Sequence, residues 1–327
     1  MAEEEKESTE RGASVRRDWT KGSIVRNLLL LAWPMIITES LYVVTVVDMV
    51  WMGRLGSASI AGVGVAMVVI TLMMTALLGL IVGVRATVAR YSGAGDFDGA
   101  NHAARQSLVI GIAYGLLMTA VGIFLARPIL SLYGVAAEVA VEGVAYMRVF
   151  SLSWVPLSLW WIILYSMQAS GDTVNPMRVE FFIRFFHVAL CPFLVFGWWV
   201  FPRLGVIGVA TSNIVIESMG LAFGLWILLT GRTRLRLTLR GFRPDPKVIW
   251  GMVKIGIPGL VMSVQSSFSS MLLMWIIVPF GTLAVAAHTL GARVQMIIHL
   301  PNHGLGLAAG VLVGQNLGAG QPGRAER

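Results

Sequence analysis

Asn27 to Gly56 reads NLLLLAWPMIITESLYVVTVVDMVWMGRLG, and this stretch decides the class of the chain. At about 1.5 Å of rise per residue it is long enough to cross a bilayer, and it is too apolar for a soluble fold to hide. It also carries Glu39 and Asp48. A charged side chain at membrane depth costs at least a few kcal/mol, so both carboxylates should face a protein interior or a wet cavity. A regular helix would point them to nearly opposite sides, so they cannot share one small site unless the helix bends between them.

The remaining sequence agrees with a polytopic membrane protein. Hydrophobic residues make up 56% of the 327 and charged residues 13%, against about a quarter charged in soluble domains. The mean hydropathy is +0.76. The net charge of +8 comes from basic residues set between apolar runs. The positive-inside rule accounts for them, and nucleic acid is not an expected partner. The single cysteine, Cys191, excludes an internal disulfide framework.

Eight spans are predicted, all helical. They run over Asn27–Gly56, Ile60–Val84, Ala103–Leu125, Val139–Met167, Met177–Trp198, Gly205–Leu229, Val248–Val278 and Leu283–Val313. Residues 1–26 are expected to be a disordered cytoplasmic tail and 27–230 a six-helix transmembrane lobe. Residues 231–247, with Arg232, Arg234, Arg236, Arg240, Arg243 and Lys247, form a basic cytoplasmic loop between lobes. The basic tail and this loop lie an even number of spans apart, so both are placed on the cytoplasmic side of the cell membrane, with membrane lipids as partners; topology setting accounts for the loop's charge better than specific binding of anionic lipid.

The chain also repeats itself. A shift of 225 residues lays Leu55–His102 on Phe280–Arg327 without a gap, matching Gly56 with Gly281, Gly79-Leu80 with Gly304-Leu305, and Gly93-Ala94-Gly95 with Gly318-Ala319-Gly320. A shift of 224 brings Trp33-Pro34 onto Ile257-Pro258. Residues 248–327 therefore read as the first two helices of a duplicated second six-helix lobe, related to the first by an axis along the membrane normal. On this reading the chain is C-terminally truncated.

Several stretches resemble the multidrug and toxic compound extrusion (MATE) transporters. They are Trp33-Pro34, VVDMVWMGRLGSASIAGVG (Val46–Gly64), VARYSGAGDFDGA (Val88–Ala100), QASGDTVNP (Gln168–Pro176), GVIGVA (Gly205–Ala210) and FGTLAVAAHTLGARV (Phe280–Val294). The resemblance implies a twelve-helix, two-lobe antiporter, a monomer at full length, with a cavity that opens alternately to each side. It implies export of small cationic or aromatic organic compounds in exchange for H+ or Na+. No cofactor beyond the coupling ion, no metal site and no enzymatic activity are expected.

Asp48 matches the acidic position of the family's first-helix VD motif and is assigned as the coupling carboxylate. The competing reading anchors it in the headgroups beside Trp51 and Arg54. Counted along the helices at about 1.5 Å per residue, Asp48, Cys191, Asn213 and His187 all fall in the outer half of the first lobe. Here the chain departs from the family, whose fifth helix has Asn and then Asp where this one has His187 and Cys191. The two positions still share a helix face, but oxygen ligands are lost, which favours H+ over Na+. For His187 a packed histidine and a functional one stand side by side, and Cys191 is also suited to plain packing.

Glu39 and Glu217 are the secondary intramembrane acids. Glu180 and Arg184 are spaced for a local ion pair, and Arg148 is either a partner of Asp48 or a headgroup anchor. In the second lobe, Ser263, Gln265, Ser266, Ser267 and Ser270 form either a polar cavity wall or a close-packing face. The spacing of His299 and His303 is interrupted by Pro301, so they are not read as a metal pair. A lipid-linked oligosaccharide flippase of a related two-lobe fold is the alternative function. It would need a cationic cavity, whereas the visible candidates are acidic or neutral.

Overall fold

The computed structural model describes residues 17–134, 136–237, 242–277, 280 and 282–327, and every regular element among them is helical. Among the described residues, six helices are long and apolar enough to cross a membrane, and a bent pair makes a seventh such span. The first predicted span is not one rod. It consists of α1 (Ile24–Leu41), a 3-10 turn (Tyr42–Thr45) and α2 (Val46–Gly53). Residues 43–47 are an unbroken β-branched run, which weakens the helix where it narrows. Tyr42, at the head of the turn, lies under the Arg184 guanidinium, 4.6 Å from ring centroid to Cζ.

The second and third spans are α3 (Ser57–Gly93) and α4 (Phe97–Phe124). Asp96 caps α4 by accepting a hydrogen bond from the Gly99 amide at 2.8 Å. A short α5 (Ala126–Ser131) follows. The fourth span is again broken, into α6 (Ala137–Ser151) and α7 (Trp154–Ala169), which meet at 52°. Pro156 explains the break, because its ring leaves no room for the carbonyl of residue 152 in a continued helix. Ser151 and Ser153 bond back to the carbonyls of Met147 and Phe150, each at 2.6 Å, which loosens the ladder further.

α7 is buried on nearly all sides and is the axis of the lobe. α8 (Val174–Phe196) and α9 (Val206–Thr230) pack beside it. Gly220 and Gly224 of α9 let Trp160 of α7 lie flat: a Cβ at either position would fall within 3 Å of the indole. α10 (Pro246–Ile277), α11 (Thr282–Gly318) and a short α12 (Pro322–Glu326) complete the chain.

The repeat is visible in the helix bounds. α3 and α11 each have 37 residues, and both ends are displaced by the repeat shift, from 57 to 282 and from 93 to 318. The packing is reciprocal as well. A Cβ on Gly79 of α3 would collide with the Leu260 backbone of α10, and a Cβ on Gly304 of α11 would lie 2.6 Å from Ile36 of α1. Gly93 meets the carbonyl of Gln315, and its repeat mate Gly318 meets that of Arg90. These are close backbone approaches that only glycine permits.

One expectation about the polar segments needs correction. The disordered tail does not extend to residue 26. Trp19 is buried against Gly171, and Asn27 donates to the carbonyls of Trp19 and Lys21 at 3.1 and 2.8 Å. The basic loop is docked over its described part. Arg236 N donates to Asn101 at 2.7 Å, Gln106 clasps the backbone of Arg243 and Asp245, and Asp245 caps α10 while contacting His102 at 3.3 Å. Arg240 lies outside the described residues.

Candidate ion site and buried charge network

The 3-10 turn swings α2 toward α8, and this positions the site. His187 Nε2 and Asp48 Oδ1 share a hydrogen bond of 2.8 Å. Cys191, one turn further along α8, completes a cluster in which one donor atom from each side chain lies within 4.8 Å of the other two. His187 and Cys191 are fully buried and Asp48 is 8% exposed. Ser212 of α9 donates to the Val209 carbonyl of its own helix at 2.7 Å, and the Tyr146 ring of α6 lies within electrostatic reach of Asp48 and Cys191. The structure thus brings together three of the four residues assigned to coupling. Asn213, also buried, turns its amide nitrogen back to the Val209 carbonyl of its own helix at 3.0 Å.

Arg148 is not the partner of Asp48. It is exposed, and with Arg127 it lines a groove of about 600 Å3 walled by Ala140, Val144 and their neighbours. The headgroup-anchor reading of Arg148 keeps its geometry.

Deeper in the lobe lies a network that the sequence only half revealed. The expected Glu180–Arg184 pair is present at 3.0 Å, but Arg184 also bridges to Glu217 at 3.2 Å. Trp160 donates to Glu180 at 2.8 Å and Tyr42 donates to the same oxygen at 3.4 Å. Arg184 is 2% exposed and its two acids are equally enclosed, so one guanidinium holds two buried carboxylates. Glu217 is therefore a member of this network.

Glu39 and Asp48 do not converge, although the 3-10 turn breaks the helix between them. Glu39 accepts from the Tyr165 hydroxyl at 3.2 Å and pairs with His303 Nδ1 at 3.1 Å, across the boundary between the first lobe and α11. Arg85 lies over the Tyr165 ring at 5.6 Å and donates to the Leu307 carbonyl at 2.7 Å. Pro301 argues against His303 in the sequence, and the signal that outweighs it is Glu39 itself, an acid at membrane depth that needs a partner. On α10, Gln265 and Ser266 are exposed from the protein and Ser263 is half-buried. The side chains of Ser267 and Ser270 lie outside the described residues.

A family model described as MatE matches residues 34–193 and 258–327. A probable multidrug resistance protein NorM from Pseudomonas aeruginosa is 28% identical over 91% of this chain and 61% of its own length. One of the same description from Aromatoleum aromaticum is 30% identical over 92% of the chain and 66% of its length. The chain thus spans about two-thirds or less of the length of these relatives. In fold it is similar to a MOP superfamily transporter from Pyrococcus furiosus, whose binding pocket is described as having a reversed polarity that suggests a different function. That likeness has a TM-score of 0.87 at 22% identity, over 96% of this chain and 69% of that one.

Proposed function

Because the chain belongs to the MatE family, we propose that it forms the coupling lobe of an antiporter that exports small cationic or aromatic organic compounds in exchange for H+, with Asp48 and His187 carrying the exchanged proton. The observation behind this reading is the buried 2.8 Å contact between the two side chains. A carboxylate and an imidazole in such contact, inside a membrane-embedded lobe, can take up one proton and release it when their surroundings change. Na+ fits less well, because it prefers several hard oxygens and here His187 and Cys191 supply nitrogen and sulfur. The two lobes alternate access to the cavity, with the N-terminus cytoplasmic and the protein in the cell membrane.

The test is release of an organic cation dye, ethidium, from proteoliposomes holding the full chain. An inward-directed H+ gradient should drive release and a Na+ gradient alone should not. Asp48→Asn should lose gradient-driven release, and His187→Gln should reduce it. Undiminished release by Asp48→Asn refutes the assignment.

A further inference from the structure

The sequence shows only part of a metal-ligand set, because His187 and Cys191 lie four residues apart but Asp48 comes from another helix, 139 residues before His187. Folding brings a carboxylate oxygen, an imidazole nitrogen and a thiol sulfur to within 4.8 Å of one another. We propose that Asp48, His187 and Cys191 form a binding site for a borderline-soft divalent metal ion, of which Zn2+ is the best fit. We further propose that the ion competes there with the coupling proton, and this second part rests on the function proposed above.

The donor set selects the ion. Mg2+ and Ca2+ require shells made almost wholly of oxygen, and only one of these three side chains offers it. Zn2+ takes this mixture of O, N and S donors in a tetrahedron, with water free to fill the fourth place. Charge is balanced: the thiol releases its proton to water on binding, and thiolate plus carboxylate then neutralise the 2+ ion in a buried pocket.

The geometry is close to what is needed. Bond lengths of about 2.0–2.3 Å place tetrahedral donors about 3.3–3.6 Å apart. The separations here, from the 2.8 Å hydrogen bond up to 4.8 Å, require shifts of about 1 Å or a little more. His187 and Cys191 already project from one face of α8, a turn apart. The His187 ring is hydrogen-bonded through Nε2 and its Nδ1 has no hydrogen-bond partner among the described residues, so no second hydrogen bond opposes a small re-aiming of the ring. Asp48 is the one ligand with an exposed edge, and the ion enters over it.

Tag-free full chain in detergent, titrated with Co2+ and then Zn2+, tests the site. The chain has one cysteine, so a thiolate-to-cobalt charge-transfer band in the near ultraviolet can come only from Cys191. The expected result is one Co2+ per chain with that band, displaced by Zn2+. The near-isosteric Cys191→Ser should abolish the band and weaken Zn2+ binding at least about tenfold, with Asp48→Asn also weaker. Unfolding of metal-free Cys191→Ser at the wild-type temperature separates loss of a ligand from loss of fold. Absence of the band at saturating Co2+, or equal Zn2+ affinity in wild type and Cys191→Ser, overturns the site. Because binding is read without transport, its failure leaves proton-coupled export standing, and failed export leaves zinc binding intact. Where export is present, Zn2+ should inhibit the wild type, and undiminished export at saturating Zn2+ overturns the competition.

Discussion

Arg184→Met should be the most damaging single change within the first lobe, and the structure sets its size. Arg184 is 2% exposed and reaches Glu180 at 3.0 Å and Glu217 at 3.2 Å. Methionine fills much of the same volume but leaves two buried carboxylates without their cation. Breaking a buried pair in this way costs about 3–5 kcal/mol, because the uncompensated charge stays desolvated. At a few degrees per kcal/mol, the apparent unfolding temperature in detergent should fall by on the order of 10 °C at a fixed scan rate. The diagnostic comparison is the triple variant Arg184→Met, Glu180→Gln, Glu217→Gln. It removes the stranded charges, while the amide oxygen introduced by Glu180→Gln can still accept from the Trp160 indole. It should recover most of the loss, since an ion cluster replaced as a whole is often close to neutral. A fall of less than about 1 kcal/mol in Arg184→Met, or a triple variant no more stable than the single one, would refute this account.

Glycine contacts give a graded test. Gly79→Ala and Gly304→Ala should each lose about 1–3 kcal/mol in thermal unfolding through overpacking, while Gly306→Ala, which meets nothing within 4 Å, should be neutral. Across the lobe boundary, a double-mutant cycle of Glu39→Gln and His303→Gln should report about 1 kcal/mol of coupling, discounted because the His303 side chain is 51% exposed. In the loop before α8, burial holds the Asp172 carboxyl above its ordinary value against the hydrogen bonds from Asn175. The folded state then binds more protons than the unfolded one, so wild type should lose stability relative to Asp172→Asn as pH rises from below the ordinary Asp value through the raised one. Lost Asn175 contacts add only a constant offset, so an unfolding-temperature difference flat with pH would contradict the sign.

Most of the architecture was legible because membrane helices announce themselves by length and hydropathy, and the repeat was legible because Gly79, Gly93 and their mates are fixed by backbone contacts. The breaks were harder to see. Pro156 with its flanking serines could have exposed the second one, but the β-branched run after Tyr42 looks like ordinary membrane-span composition. In the site, a shared depth for Asp48, His187 and Cys191 followed from helix position and the family pattern, whereas the direct contact of Asp48 with His187 did not. The bridge from Arg184 to Glu217 did not, since the partners are 33 residues apart on different helices and a local acid at i−4 already explained the arginine. His303 was lost to a neighbouring proline that leaves α11 continuous.

The reciprocal glycine contacts carry one more consequence. What α3 offers to α10 is what α11 offers to α1, so the seam has the self-complementary form of a two-fold homodimer interface written into one chain. A change at either glycine is tested against one partner only, yet the two partners impose nearly the same shape. Drift on one side is therefore checked by the fit on the other. A first lobe produced by itself also carries both halves of its own mating surface, and two such lobes have the contacts they need to close on each other.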